Sequence, residues 1–507
     1  MLLHHYLDHT ARRLPDKCAI VARGVHHNYR EIDARAATLA RALRAAGVRR
    51  GDRVVLFLGN TVEMAASIFA VLRLGAVFVP VNPLTKRDKL GYLLEDTGAT
   101  ALVTHASLAS AWREPLARNA SVRAAFVAGA GGGPWPARCL PYPAEDGGGG
   151  PVEEATIDQD LAALIYTSGS TGDPKGVMLT HLNMVSAAES VSGYLGLRED
   201  DVIACVLPLA FDYGLYQVLM GFKVGATVLL EESFAFPLRV LEAMAHERVT
   251  VLPGVPTIFA VLMGLKGLEA FDLSRLRMIT NTAAALPEGH IRKLRERFPQ
   301  ATLFSMYGLT ECKRVTYLPP AQLDLRPGSV GRGMPNEEVW LVDEEGRRLP
   351  PGGTGELVIR GSNVMRGYWR KPRETAERLR PGPIPGEMVL YSGDIFRTDG
   401  EGWLYFVARK DDIIKSRGEK VSPREVENAI CSLEGVRMAA VIGVPDEILG
   451  EAIKAFVVLE DGVALAERDV IRHCLARLES FMAPRFVEFV RELPVSDNGK
   501  VRKAALA

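Results

Sequence analysis

The sequence predicts an α/β fold: a large N-terminal domain of layered α/β subdomains with a β-rich subdomain, followed by a small α+β C-terminal domain. Three observations support this prediction. A chain of 507 residues exceeds what one hydrophobic core usually supports. Strand and helix patterns alternate through the first half, which is typical of a parallel sheet covered by helices. From residue 354 onward, short strand patterns come first, and a mixed helix and strand pattern follows.

The N-terminal half alternates apolar strand patterns with amphipathic helix patterns. Helices are predicted over residues 2–14, 31–47, 61–74 and 182–191, and strands over 54–58, 75–83, 101–104, 161–165 and 202–207. Residues 128–150 are rich in glycine, proline and alanine, so we expect a flexible linker without chemistry there. Residues 354–360 and 367–369 read as a strand and a turn of the β-rich subdomain.

The last part of the chain predicts a compact α+β unit. Ser422 fits an N-cap, with Pro423 in the first turn and Glu425 three residues after the cap. A helix over 424–431, strands over 438–444 and 452–459, and a helix over 467–478 follow. Their combined length is that of an ordinary small domain.

Composition excludes several classes of partner. With 61 basic and 61 acidic residues, bulk charge does not favour a nucleic-acid or membrane-surface partner. The longest apolar run, 249–265, is broken by two prolines and reads as core, with no membrane span expected. Six cysteines without a C-x-x-C pair predict neither a zinc site nor disulfides, and the N-terminus shows no secretory pattern. We therefore expect a cytoplasmic location.

The segment 166–176 is dense in glycine and hydroxyl groups and follows an apolar strand. Glycines let backbone amides approach an anion closely, while hydroxyls and a lysine add donors and charge. The spacing is not that of a Walker loop, because the lysine does not directly follow a glycine. The segment predicts a polyphosphate site formed by Thr167, Ser168, Gly169, Ser170, Thr171, Gly172 and Lys175.

Two further strand ends carry candidate nucleotide contacts, because ligands of α/β sheets bind beyond the carboxyl ends of strands. After the strand that contains Met306, Tyr307 can stack on a base and Gly308 permits a tight turn. Thr310 and Glu311 offer hard oxygens to Mg²⁺. At the other strand end, the small side chains of Ala283, Ala284 and Ala285 would let a flat base lie against the backbone.

Taken together, these stretches resemble the adenylate-forming superfamily, which contains acyl-CoA synthetases, adenylation domains of nonribosomal peptide synthetases, and beetle luciferases. The matching segments occur in the expected order and span nearly the whole chain: 166–176, 307–311, 391–394, 409–423 and 493–500. The resemblance implies an ATP- and Mg²⁺-dependent ligase. A carboxylic acid attacks ATP to give an acyl-adenylate and pyrophosphate, and a phosphopantetheine thiol then displaces AMP.

The resemblance also implies roles for individual residues. Asp394 and Arg409 match the ribose contacts, and Lys500 matches the catalytic lysine, which acts with Glu311, Lys175 and Thr167. Asp411 matches the pivot of a hinge over 409–412 that joins residues 1–408 to a mobile domain over 413–507. Rotation there would bring Gly418 beside the thiol tunnel.

The acid pocket is expected to include Asp212, Tyr213, Tyr216, Met306 and Arg314. A buried Asp212 needs a cation or a ligand. Phe211-Asp212 resembles peptide-synthetase adenylation domains, where the aspartate holds an amino group, yet Asp212 and Arg314 could also satisfy one another. The two tyrosines fit a polar pocket or plain core packing.

Three functions remain open. The main interpretation is a stand-alone adenylation enzyme that loads an amino acid or small polar acid onto a separate carrier protein. The alternative is an AMP-forming acyl-CoA synthetase that uses coenzyme A. A nucleotide-binding scaffold without catalysis is disfavoured because Lys500, Glu311 and Asp394 are all present.

Overall fold

The fold comes from a computed structural model that describes residues 1–507 except 130–135, 144–154, 168–173, 283–285, 287, 417–418, 447–449, 497–500 and 507. The elements of the first 180 residues are α1 (His5–Arg13), β1 (Cys18–Ala22), β2 (Val25–Asn28), α2 (Tyr29–Ala45), β3 (Arg53–Phe57), α3 (Val62–Arg73), β4 (Val77–Val81), α4 (Arg87–Thr97), β5 (Ala101–His105), α5 (Ala109–Arg118), β6 (Ala124–Ala128), β7 (Cys139–Pro141), β8 (Leu161–Thr167) and β9 (Lys175–Thr180).

Seven of these strands form one sheet in the order β7-β6-β5-β3-β4-β8-β9. Its pairs are parallel except for the antiparallel hairpin of β8 and β9. β7 lies inside the stretch expected to be a flexible linker, so that expectation was wrong for residues 139–141, which pair in parallel with β6 at the sheet edge.

The next segment completes a nine-stranded sheet with β1 and β2. Its elements are α6 (His181–Leu195), β10 (Val202–Cys205), α7 (Asp212–Val224), β11 (Thr227–Leu230), α8 (Pro237–His246), β12 (Val251–Gly254), α9 (Pro256–Gly264), β13 (Met278–Asn281), α10 (Glu288–Arg297), β14 (Thr302–Tyr307), β15 (Thr316–Leu318) and β16 (Arg332–Gly333). The strand order is β16-β15-β14-β13-β12-β10-β11-β1-β2, parallel from β14 to β1 and antiparallel at both edges.

The two large sheets are layered with helices, as the alternating pattern predicted. One continuous core joins α2, α3, α6 and α7 to residues of both sheets. A second core packs α8, α9 and α10 on the outer side of the nine-stranded sheet, and a third packs α4 and α5 on the seven-stranded sheet. The apolar run 249–265 supplies β12 and α9 and is largely buried, which confirms that it is core.

A β-rich subdomain follows, with β17 (Glu337–Val342), β18 (Thr354–Gly361), α11 (Pro372–Arg378), β19 (Leu379–Pro381), β20 (Met388–Thr398) and β21 (Leu404–Arg409). Its sheet is antiparallel throughout, with β18 between β17 and β20 and with β20 also pairing β19 and β21. The small C-terminal domain contains β22 (Ile414–Ser416), β23 (Glu419–Val421), α12 (Pro423–Cys431), β24 (Val436–Asp446), β25 (Gly450–Leu459), α13 (Glu467–Leu475) and β26 (Phe486–Phe489).

The small domain has hydrophobic cores of its own, and the predicted fold class is confirmed. Its helix α12 begins as expected, because the Ser422 hydroxyl accepts a hydrogen bond from the Glu425 amide at 3.3 Å. All six cysteines are free thiols. Among the described residues, no helix is long and apolar enough to cross a membrane.

Candidate active site

The predicted phosphate loop is carried by the β8–β9 hairpin. Thr167 ends β8 and pairs with Lys175, which begins β9, so both lie at the mouth of the loop. Helix α4 holds the strand that leads into the loop, because the Tyr166 hydroxyl donates to the Asp96 carboxylate of α4. A second hydrogen bond from α4 reaches the carbonyl just before Lys175 at 3.2 Å. Both ends of the loop are thus tied to one helix.

Glu311 lies next to this hairpin because Tyr368 joins them. The Tyr368 hydroxyl donates to Glu311 Oε1 at 2.6 Å, and the Lys175 Nζ lies 5.6 Å from the centroid of the Tyr368 ring. Burial and the neighbouring Glu311 raise the pKa of Tyr368, so its hydroxyl remains a proton donor to that carboxylate. A cation and a carboxylate from two separate motifs therefore meet at one aromatic ring.

Tyr368 was not predicted as a site residue, and its segment was misplaced. Residues 367–369 were expected to be a turn of the β-rich subdomain, but they hydrogen-bond to β9. The Trp369 amide donates to the Gly176 carbonyl at 2.8 Å, and the Met178 amide donates to the Gly367 carbonyl at 2.9 Å. The segment therefore extends the sheet that carries the phosphate loop.

Tyr307 and Asp394, predicted from different motifs as base and ribose contacts, touch one another. The Tyr307 hydroxyl donates to Asp394 Oδ2 at 2.5 Å. Burial raises the pKa of the Asp394 carboxyl, while the Arg409 charge and the Tyr307 hydrogen bond oppose this rise. Arg409 is the cross-strand partner of Asp394 between β20 and β21. The three residues form one polar cluster at the end of β14.

Arg378 connects the two halves of the site and was missed by sequence reasoning. It hydrogen-bonds the Tyr368 hydroxyl, and its charge lowers the pKa of both Tyr368 and Asp394. Gly393, at φ 72°, leaves room for it, because a Cβ there would lie 1.9 Å from an Arg378 guanidinium nitrogen. Arg378 ends a charge-rich helix, where no motif distinguishes it from its neighbours.

The turn after β14 folds tightly onto Gly308. A Cβ at Gly308 would lie 2.3 Å from the Lys313 carbonyl oxygen and 2.9 Å from the Arg314 Cα, both of them backbone atoms. Lys313 has a φ of 69°, a left-handed conformation that is unfavourable for a side chain of this kind. The turn places Thr310 and Glu311 at its half-buried start and buries Lys313 and Arg314 at its end.

The sequence left open whether Asp212 binds the substrate or pairs with Arg314; in the structure its partner is Lys313, which neither alternative named. The Lys313 Nζ lies 3.5 Å from Asp212 Oδ2 and donates to the Asp212 carbonyl at 2.9 Å. The lysine is 3% exposed, and burial lowers its pKa to about 7, against the opposing charge of Asp212. The left-handed turn at Lys313 points consecutive side chains inward, which strand or helix periodicity does not anticipate.

Tyr213, Tyr216 and Met306 surround this ion pair. The Lys313 Nζ lies 4.3 Å from the Tyr216 ring centroid and 5.3 Å from that of Tyr213. The Tyr213 hydroxyl donates to the Thr280 carbonyl at 2.9 Å. Both tyrosines are buried, and Met306 Sδ accepts a hydrogen bond from the Tyr194 hydroxyl. The predicted pocket residues are therefore brought together at the carboxyl ends of β13 and β14.

Several predicted site residues lie outside the described residues and stay predictions: Ser168, Gly169, Ser170, Thr171, Gly172, Ala283, Ala284, Ala285, Gly418 and Lys500. Asp411 falls in a 3-10 turn over Lys410–Asp412, directly after β21. Its position between the β-rich subdomain and the small domain agrees with the predicted hinge, whose movement remains a prediction.

Comparison with known proteins fits this geometry. The model of the AMP-binding enzyme family matches residues 7–369, and the model of the AMP-binding enzyme C-terminal domain matches residues 425–500. The chain belongs to the AMP-binding enzyme family. It is an ATP-dependent, AMP-forming acid–thiol ligase, as the sequence motifs predicted.

Among its relatives, the feruloyl-CoA synthase of Amycolatopsis sp is 36% identical, over 97% of this chain and 96% of that protein. The long-chain-fatty-acid–CoA ligase of Bacillus subtilis strain 168 is 32% identical, over 99% of this chain and 94% of that protein. The crystal structure of the anthranilate CoA ligase AuaEII in complex with anthranoyl-AMP superposes with a TM-score of 0.89 at 27% identity, covering 100% of this chain and 96% of that one. These matches favour the CoA-dependent alternative over the carrier-protein interpretation.

Proposed function

We propose that this AMP-binding enzyme is an acyl-CoA synthetase, which joins a carboxylic acid to coenzyme A through an acyl-adenylate. One observation carries the proposal: the Tyr368 ring lies between the Lys175 ammonium and the Glu311 carboxylate, so phosphate-binding and metal-binding groups converge at one point. The similarity of the whole chain to CoA ligases supports coenzyme A as the thiol.

In the first step, the acid attacks the α-phosphate of ATP, and pyrophosphate leaves. Negative charge grows at phosphorus, so the step requires cations and donors around the phosphates. Lys175, Thr167 and the loop residues 168–172 bind the β- and γ-phosphates. Lys500 brings a second ammonium to the α-phosphate from the small domain. These roles rest on the resemblance of segments 166–176 and 493–500 to the corresponding segments of the family.

Glu311 and Thr310 fit a magnesium ion. The Glu311 carboxylate makes one short hydrogen bond, to a neutral phenol, and within the described chain it forms no ion pair that would neutralise it. Carboxylate and hydroxyl oxygens are the ligands that Mg²⁺ prefers. The bound ion would offset charge on the phosphate oxygens of ATP. Tyr368 holds the carboxylate in place for this task.

Asp394 and Arg409 bind the ribose, while Tyr307 and residues 283–285 bind the adenine. The hydrogen bond between Tyr307 and Asp394 fixes the tyrosine ring, and Phe396 packs edge-on against that ring at 4.8 Å. A base can then stack on an aromatic surface that is already oriented. Binding a pre-oriented surface costs less conformational entropy.

The small domain, residues 413–507, then turns about Asp411 within a hinge over 409–412. Lys500 is needed only while the adenylate forms, whereas the thiol needs a path past Gly418. One hinge therefore serves two active arrangements in succession.

The acid is not selected as an α-amino acid. Asp212 would have to bind the substrate ammonium, but Lys313 already pairs with its carboxylate at 3.5 Å. A second cation beside Lys313 would repel it at close range in a buried site. This pairing removes the main argument for an amino-acid substrate and with it the argument for a carrier protein.

The experiment is ATP–pyrophosphate exchange across a panel of carboxylic acids, followed by AMP release with either coenzyme A or a phosphopantetheinylated carrier protein. We expect exchange with one class of acid and thioester formation on coenzyme A. Transfer to the carrier protein alone would replace the proposal with the carrier-loading function. Tight ATP binding without exchange for any acid would indicate a scaffold.

A further inference from the structure

Arg314 is a buried cation for which none of the described residues supplies a paired anion. Its side chain is 1% exposed, and within the described part of the chain its guanidinium forms no ion pair and its Nε has no hydrogen-bond partner. Its contacts are the face of Tyr213, 5.1 Å from the ring centroid, and a hydrogen bond with the Tyr194 hydroxyl. Neither phenol neutralises the charge. A charge held away from water is unfavourable unless something pairs with it.

The carboxylates near this turn do not compensate Arg314. Asp212 is paired with Lys313, which carries the same charge sign as Arg314. Glu337 approaches the turn from the backbone side, through Asn363, whose amide donates both to Glu337 and to the Arg314 carbonyl. Glu337 forms no ion pair with Arg314, and burial raises the pKa of the Glu337 carboxyl well above its usual value, which disfavours its charged form. The cluster retains one positive charge at the guanidinium.

Arg314 also lies on the turn that follows β14, at the edge of the sheet where ligands of such folds bind. It follows Glu311 on the same turn, and Tyr213 ties this turn to the end of β13 through the Thr280 carbonyl. Ligands of parallel sheets bind beyond these strand ends. The neighbouring walls are aromatic, with Tyr194 stacked on Tyr317 at 4.0 Å between ring centroids. Arg314 is thus surrounded by aromatic side chains, and its guanidinium forms no ion pair with any of the residues described.

We propose that the acid substrate is a dicarboxylic acid, whose second carboxylate binds the Arg314 guanidinium while its first is adenylated. This inference rests on the proposed acyl-CoA synthetase activity. A guanidinium presents parallel N–H donors that match the two oxygens of a carboxylate. The Tyr194 hydroxyl, which now donates only to the weak acceptor Met306 Sδ at 2.9 Å, adds a donor for the same group. A plain fatty acid would leave the guanidinium unpaired.

The test compares acids of matched length with one or two carboxylates, such as hexanoate with adipate and benzoate with terephthalate. ATP–pyrophosphate exchange gives kcat/KM for each member of a pair. We expect the wild-type enzyme to prefer one of the diacids over its monoacid by about 100-fold, because a buried site that must pair a charge rejects the analogue lacking it. Arg314→Met should abolish this preference, mainly through KM for the diacid, while monoacid activity stays or rises.

A second measurement keeps the proposal testable if activity is low. Thermal unfolding of wild type should shift upward with the diacid, whereas that of Arg314→Met should not. Without acid, Arg314→Met should unfold no earlier than wild type, because the substitution removes an unpaired charge. Arg332→Met, an exposed arginine over Trp403, serves as the matched control and should keep the wild-type preference.

The outcomes separate this inference from the proposed function. Equal use of monoacids and diacids, unchanged by Arg314→Met, would overturn the dicarboxylate inference and leave the synthetase intact. An earlier unfolding of Arg314→Met without acid, with the preference unchanged, would assign Arg314 a structural role. Absence of exchange with every acid would overturn the synthetase itself.

Discussion

At the scale of single residues, the hydrogen bond from Tyr368 to Glu311 is the contact we expect to control adenylate formation. A hydrogen bond to a charged group contributes about 1.5–3 kcal/mol, which corresponds to roughly 10- to 100-fold in rate. Tyr368→Phe should therefore slow ATP–pyrophosphate exchange by this factor and raise the Mg²⁺ concentration needed for half-maximal rate. Tyr405→Phe, which removes a 3.4 Å bond to Asp399 on the surface, is the control. An unchanged Mg²⁺ dependence in Tyr368→Phe would contradict this role.

The lowered pKa of Lys313 predicts that the stability of the fold depends on pH. Burial lowers the pKa of this lysine to about 7 in the folded protein, against 10.5 for a lysine exposed to water. Between these values the unfolded chain binds more protons, so the lysine's destabilising contribution is full below pH 7 and fades as the pH rises toward 10.5, with a slope of at most ~1.4 kcal/mol per pH unit. The apparent Tm of wild type, relative to the neutral double variant Asp212→Asn/Lys313→Met, should rise between pH 7 and 9. Parallel curves would contradict the shifted titration.

Candidate site residues were predictable from the sequence where they belong to a motif. They were not predictable where only folding brings distant residues into contact. Glu311 and Asp394 were selected from their motifs, and in the structure each carboxylate accepts a hydrogen bond from a tyrosine. Tyr368 was not, because its partner lies 57 positions away in the chain. The partner of Asp212 was left open between the substrate and Arg314, and Lys313 was not considered, because the left-handed φ of Lys313 redirects two adjacent side chains.

At the scale of elements, the turn after β14 requires glycine at position 308, because a larger residue does not fit there. A methyl group there would meet the backbone of Lys313 and Arg314, which cannot move aside without opening the turn. Gly308→Ala should cost about 1–3 kcal/mol, as overpacking does, and should lower ATP–pyrophosphate exchange. Gly193→Ala in α6, where nothing lies within 4 Å of the added carbon, should stabilise by about 0.5–1 kcal/mol. Equal Tm changes in the two variants, measured by thermal unfolding, would contradict this account.

Element types followed from periodicity and capping, whereas the joining of distant segments did not. Helices α2, α3 and α12 begin within two residues of their predicted starts, and each follows an N-cap residue whose side chain accepts a backbone hydrogen bond. α7 begins at Asp212, where the sequence predicted a pocket residue but no helix. Residues 367–369 joined β9, far back in the chain, and no local pattern encodes such long-range pairing.

At the scale of the whole molecule, the layered sheets were predictable because strand and helix alternation restricts the topology, while the domain contacts were not. Among the described residues, Lys293 and Glu460 pair across the two domains at 3.0 Å with both side chains about half exposed, and the Ser422 hydroxyl donates to the Val407 carbonyl. Arg424 of the small domain also lies 5.1 Å from the Phe406 ring centroid. An exposed ion pair contributes about 0–1 kcal/mol, so the pair of Lys293 and Glu460 opposes a turn at the proposed hinge only weakly.

The proposed hinge implies a division of labour between the two half-reactions. In the proposed mechanism Lys500 serves adenylate formation alone, so Lys500→Ala should slow ATP–pyrophosphate exchange by at least ~100-fold, the scale of a lost charge-stabilising donor. The same variant should convert supplied acyl-adenylate and coenzyme A to thioester at nearly the wild-type rate, because no phosphate charge develops in that step. Lys503→Ala, whose lysine pairs with Glu427 at 2.7 Å, is the matched control and should retain both rates. Equal loss of both half-reactions in Lys500→Ala would mean that the small domain keeps one arrangement throughout the cycle. Loss of the first half-reaction alone would mean that a second arrangement exists in which Lys500 is not used.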